Sequence, residues 1–152
     1  MDLKSIIFLA FVFLLFGCPG QQWDIYTNEK FSISYPVGNI EETQGDEIFK
    51  VSELGCQITV TKLTGQPSFS GVVDYLKGFY TDTEGLTLTS EKITDSSADF
   101  GLIASTEDER YEGAIRIIPC GDKTVYITMV GCGEAWYNQE KVSRIINSVQ
   151  CK

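Results

Sequence analysis

Eleven uninterrupted apolar residues, Ile6 to Phe16 (IIFLAFVFLLF), set the first limit on what this 152-residue chain can fold into. A helix that crosses a hydrocarbon layer of ~30 Å needs about twenty such residues, so the run is too short to span. Its length suits the apolar centre of a secretory signal peptide, preceded here by MDLKS, in which Lys4 and the amino terminus stand against Asp2. Removing 17 of the 152 residues leaves 135. A chain of that size makes one domain and buries roughly two-thirds of the surface it exposes when unfolded.

The run closes on Leu15-Phe16-Gly17-Cys18. An aliphatic residue three before the cysteine and a small residue directly before it resemble the prokaryotic lipobox, where the small side chain lets a processing peptidase close around that peptide bond. The resemblance implies a diacylglyceryl group on the sulfur of Cys18. Two acyl chains, at about 0.8 kcal/mol per buried methylene, are what stable anchoring requires. The expected organisation is a signal peptide over 1–17, a lipid-anchored tether over 18–30 and a single globular domain over 31–152. Its expected location is the extracytoplasmic face of a cell membrane, joined to it through Cys18.

The formal net charge is -9, and Asp2 and Lys4 cancel, so the mature part keeps that value. Such a surface repels phosphate backbones, which excludes nucleic acid as a natural partner and makes flat electrostatic docking on anionic lipid unfavourable. The chain has no histidine. Ser-His and Cys-His nucleophile pairs and the commonest transition-metal ligand go with it.

Five cysteines are odd for a secreted chain, but with Cys18 lipidated, Cys56, Cys120, Cys132 and Cys151 make an even four. In an oxidising compartment these favour two disulfides. Three connectivities are formally open. Cys120 and Cys132 flank an expected hairpin at different heights, so the preferred set is Cys120 with Cys151 and Cys56 with Cys132. The absence of a Cys-x-x-Cys pair and of histidine argues against a metal site.

Periodicity outlines the domain. FSISY (31–35) alternates with period two and stops at Pro36; EIFKV (47–51) and CQITVTKL (56–63) follow as strands. The last points Ile58 and Val60 one way and Thr59 and Thr61 the other. Val72, Val73, Leu76, Phe79 and Tyr80 recur at three-to-four spacing, which predicts an amphipathic helix from near Ser70 to about Asp82. Strands are expected over 86–94, 99–106, 111–119 and 123–131, the last two as a hairpin around Cys120-Gly121-Asp122. In the closing helix Val142, Ile145, Ile146 and Val149 form one stripe, Glu140 and Arg144 stand at i,i+4, and Tyr137 can staple Val142 across an Asn138 cap. The order of strands, helix, strands, helix implies an α+β fold: an antiparallel sheet of six to seven strands with two packed helices.

FSISYP at 31–36 and IINSV at 145–149 give this layout a resemblance to the PsbP-like superfamily, which includes photosystem PsbP, Mog-type Ran-binding proteins and DcrB-type bacterial lipoproteins. VGN stands where that family often has a tryptophan, Val149 where it has phenylalanine, and four cysteines are not a general family feature. The resemblance implies an αβα layering and an accessory or binding role.

The acidic groups Glu41-Glu42, Asp46-Glu47, Asp82 with Glu84, Asp95 with Asp99, and Glu107-Asp108-Glu109 fall in expected turns and read as solvated loops. Asp82-Thr83-Glu84-Gly85 is only a fragment of a calcium loop. Lys62, Lys77 and Lys92 read as surface positions rather than nucleophiles. No catalytic residue, metal ligand or cofactor is expected. The function expected is a membrane-anchored, non-catalytic binding or accessory module for an envelope protein or complex. The alternative is an envelope enzyme or small-ligand carrier that uses acidic residues in a cleft.

Overall fold

The computed structural model describes residues 21–28, 31–65, 68–121 and 123–152. The expected signal peptide and the expected lipidation site, Cys18, lie outside the described residues. Strands β1 (Trp23–Thr27), β2 (Phe31–Pro36), β3 (Asn39–Ile40), β4 (Glu47–Glu53) and β5 (Cys56–Thr64) precede helix α1 (Phe69–Asp82). Then come β6 (Leu86–Ile93), β7 (Ala98–Ser105), β8 (Arg110–Pro119) and β9 (Thr124–Gly133). A 3₁₀ turn (Glu134–Trp136), helix α2 (Gln139–Ser148) and β10 (Gln150–Cys151) complete the chain.

Seven strands form one antiparallel sheet in the order β3-β4-β5-β9-β8-β7-β6, and β1-β2-β10 form a small second sheet. The α+β class therefore holds, with one correction: FSISYP is not a strand of the main sheet. β2 is flanked by β1 and β10 instead, and it turns Phe31, Ile33 and Tyr35 down onto the main sheet.

Strand alternation divides the core in two. Phe49, Val51, Cys56, Ile58, Val60, Tyr126, Val130 and Cys132 face β2 and α2 on one side. Ala98, Phe100, Ile115, Ile117 and Val125 face α1 on the other. The helices thus lie on opposite faces of the main sheet.

The expected 18–30 tether is shortened by the structure. Trp23–Thr27 pairs along β2 from Trp23↔Pro36 to Thr27↔Ser32, so it belongs to the domain. Aromatic packing holds it there: the Tyr26 ring lies 4.8 Å from Phe49 and 5.5 Å from Phe31. This strand's sequence lacks clean alternation because only Trp23 and Tyr26 turn inward.

Both helices begin where the caps dictate. The Ser68 hydroxyl accepts from the Gly71 N–H at 3.0 Å, and the Asn138 side chain accepts from the Lys141 N–H at 2.8 Å. On α2, Val142, Ile145 and Ile146 are buried, each contributing about 1.5–3 kcal/mol. Ser148 then clamps the helix to the small sheet: its hydroxyl accepts from the Ser34 N–H at 2.9 Å and lies 3.2 Å from the Ser34 carbonyl. Arg144 does not join Glu140 in the expected i,i+4 pair. Its guanidinium lies 3.8 Å over the Trp23 ring, where a flat cation gains from the aromatic face.

Two disulfides reinforce the α2 side. Cys56–Cys132 bridges directly opposite residues of β5 and β9, with Cα atoms 4.0 Å apart, and Cys120–Cys151 fixes β10 to the end of β8.

Candidate functional site

The α1 face is covered only in part. Beyond the helix, a trough of about 590 Å³ opens over the upper sheet. Its floor follows the strand register: Gln57 of β5 pairs with Gly131 of β9, Gly131 with Gly113 of β8, and Gly113 with Leu102 of β7. Tyr111, Met129 and Leu54 stand around it, all exposed.

The two central glycines have different causes. A side chain at Gly113 would be driven into the Val130 carbonyl, so the fold itself demands glycine there. At Gly131 nothing lies within 4 Å of where a Cβ would stand, and the backbone is ordinary extended strand. Glycine in a strand interior costs roughly 0.5–1 kcal/mol relative to alanine and often marks close approach by a ligand or another backbone. The bare strip over Gly131 is therefore room that the domain's own packing does not use.

A second concavity of about 730 Å³ lies between β1, the 3₁₀ turn and α2. Glu53 and Lys141 form a nearly buried ion pair across it, and the Gln21 amide donates to Glu53 Oε1 at 2.8 Å. Leu54 sits at its rim in the two-residue β4–β5 turn, where Leu54 and Gly55 have φ of 41° and 71°. Positive φ at both positions is what a type I′ turn needs, and Asn-Gly is its favoured pair. A leucine there costs about 1–2 kcal/mol of backbone strain. Gly55 in turn is required because the Trp136 indole lies against it.

The acidic groups do not converge. Glu41 pairs with Lys50 at 3.2 Å and accepts from the Ser52 hydroxyl; the hydrogen bonds from Ser52 and Lys50 hold its carboxyl below the usual range. Glu47 accepts from the Gln44 N–H at 3.1 Å, and Asp99 faces Arg116 at 3.6 Å. Glu109 accepts from the Tyr111 hydroxyl, and that hydrogen bond raises the phenol's pKa. Asp82 ends α1, while Asp95, Glu107 and Asp108 occupy turns. Among the described residues no group of three or more Cys, Asp or Glu could hold a metal ion. Among the same residues no helix is long and apolar enough to cross a membrane. Neither glycine of the trough floor stood out in the sequence; the available signal was glycine inside two otherwise apolar strands.

A two-faced α+β sheet domain with one face left partly bare is thus the class that fold and site define. No family model and no curated protein matches the sequence. A solved structure from Bacteroides thetaiotaomicron is similar at 15% identity and a TM-score of 0.52, covering 80% of this chain and 45% of its own. The chain thus spans less than half that protein's length. LpqN of Mycobacterium tuberculosis, a protein involved in cell envelope biogenesis, is similar at 14% identity and a TM-score of 0.47, over 90% of this chain and 87% of its own. At these identities the likeness concerns the fold alone.

Proposed function

We propose that the mature chain is a lipid-anchored extracytoplasmic protein whose domain, of the PsbP-like kind, acts as a non-catalytic accessory module, binding an envelope protein through the trough. The observation that carries the binding role is the unfilled strip over Gly131, a weak point in β9 for which the fold has no use of its own. Its floor and rim are mainly apolar, as in recognition grooves that place a few polar groups around a hydrophobic centre. The anchor is supported by Leu15-Phe16-Gly17-Cys18 behind a short apolar run, and the exported location by two disulfides. Glu41, Glu47, Asp99 and Glu109 each face a separate partner on a separate element, which favours the non-catalytic reading over a pair of converging carboxyls.

Gly131→Val tests the binding role. Valine suits a strand and meets open space, so the domain folds at least as well as the native one, but its side chain fills the trough. Co-purification of the envelope partner with the detergent-solubilised protein should be lost. A variant that retains its partner refutes the trough. Mass spectrometry of the mature chain tests the anchor separately: a diacylglyceryl-modified Cys18 is expected at the amino terminus, and an intact Met1 contradicts it.

A further inference from the structure

The rim at the tether end gathers three exposed apolar side chains in one place. Leu54 is 63% exposed, Trp136 54% and Val37 51%, and all three line the one cleft. Leu54 holds that position in left-handed backbone, where asparagine would be relaxed. Strain retained to display an apolar side chain to solvent points to a use for that side chain.

The same cleft receives the chain's path from the anchor. Gln21 and Gln22 line it; Gln21 bonds to Glu53, and the Gln22 carbonyl accepts from the Val37 N–H at 2.9 Å. Only Pro19 and Gly20 separate Cys18 from Gln21, and the three steps between them reach at most about 11 Å. Leu54, Trp136 and Val37 are therefore tied within one short span of the lipid-bearing residue. Charge does not oppose contact at this spot. Although the chain carries -9, the cleft's Glu53 and Glu140 are balanced by Lys141 and Arg144, and Glu134 on the adjoining turn lies 3.9 Å from Arg110. Tryptophan with an exposed ring and a polar N–H is the side chain that membrane–water interfaces favour.

We propose that Leu54, Trp136 and Val37 form a membrane-resting rim that seats the domain on the interfacial zone of the bilayer holding its own lipid. This rests on the anchor reading above. The acyl chains provide the affinity, and the rim fixes the orientation, so the domain does not swing freely on its tether.

The test uses the full lipid-bearing chain in phosphatidylcholine vesicles. Trp23 and Trp136 are the chain's two tryptophans, so Trp23→Phe leaves Trp136 as the only indole. With lipid brominated high on the acyl chain, Trp136 emission should fall by about half, as for an indole at the interface. Leu54→Asn should cut that quenching while raising Tm by about 4 °C, through relief of the turn. Stability and docking then move in opposite directions, which a purely structural leucine would not do. If Trp23→Phe fails to fold, Trp136→Phe against the native chain gives the same reading, with most of the quenching lost. Protein that floats with the vesicles but shows unquenched Trp136 overturns the rim and leaves the anchor standing. Protein that does not float overturns the anchor, and the rim with it.

Discussion

The two faces of the seven-stranded sheet are built to different standards. The face toward α2 is sealed over β4, β5 and β9, where the small sheet and the helix cover it, five aromatic rings interlock and both disulfides lie within or at the margin. A concavity of about 630 Å³ stays open farther out, between α2 and β6–β8. The face toward α1 carries one helix over its lower half and ends in a glycine-floored trough. A domain of this size needs one well-sealed core and gains cooperativity from it. Having that core on one side, it can leave part of the other side bare without unfolding, and surface that the fold does not consume is available for recognition.

Removing the Cys56–Cys132 bridge from the sealed face should produce the largest effect. The bridge spans 76 residues of sequence and lies buried, so Cys56→Ala with Cys132→Ala should cost about 4 kcal/mol in urea unfolding. The Cys120–Cys151 bridge spans 31 and fastens a two-residue strand with an exposed end; its removal should cost about 2 kcal/mol. Equal losses would mean that burial and loop length do not separate the contributions of the two bridges.

Side-chain truncation sharpens the same contrast. Ile145→Ala on α2, fully buried, should cost about 3 kcal/mol, whereas Met129→Ala in the trough should cost under about 0.5 kcal/mol. The glycines come next. Gly113→Ala should destabilise by about 2 kcal/mol because its Cβ has nowhere to go, and Gly131→Ala should stabilise by up to about 1 kcal/mol. If both substitutions destabilise equally, the trough is merely required by packing.

The smallest expected effect is alkaline. Burial raises the pKa of Tyr126 and Tyr137 on the sealed side and of Tyr80 on the buried face of α1. A phenol whose folded pKa lies above its unfolded value of about 10 stabilises the fold fully below that pH and loses the contribution as pH rises through the folded value. The unfolding midpoint should therefore decline above about pH 10. Tyr126→Phe should lessen that decline more than Tyr111→Phe, whose raised pKa comes from Glu109 at the surface.

What the sequence disclosed followed from periodicity. Strong alternation in 56–63 and 111–131 and the three-to-four spacing in 72–80 and 142–149 marked β5, β8, β9 and both helices, because one buried face imposes its period on the residues. β1 and β10 left no such trace. WDIYT turns only two residues inward, and Gln150–Cys151 is too short for a period, so both strands exist through pairing with β2. Arg144 could be placed on a helix face, but its partner Trp23 comes from a strand that local pattern did not reveal. The acidic loops attracted notice for their charge and stay dispersed. The trough went unseen because an empty space is specified by what surrounds it, and Gly113 and Gly131 meet only through strand register.

Photo-crosslinking in the native envelope tests the central contrast most directly, with a photoreactive residue placed either at Met129 in the trough or at Ile25 on the outer surface of the sealed side. Both positions are exposed. A discrete adduct from Met129, absent from Ile25 and abolished by Gly131→Val, is the result expected of a trough that receives a partner. Equal labelling from the two positions, or an adduct from Ile25 alone, would contradict it.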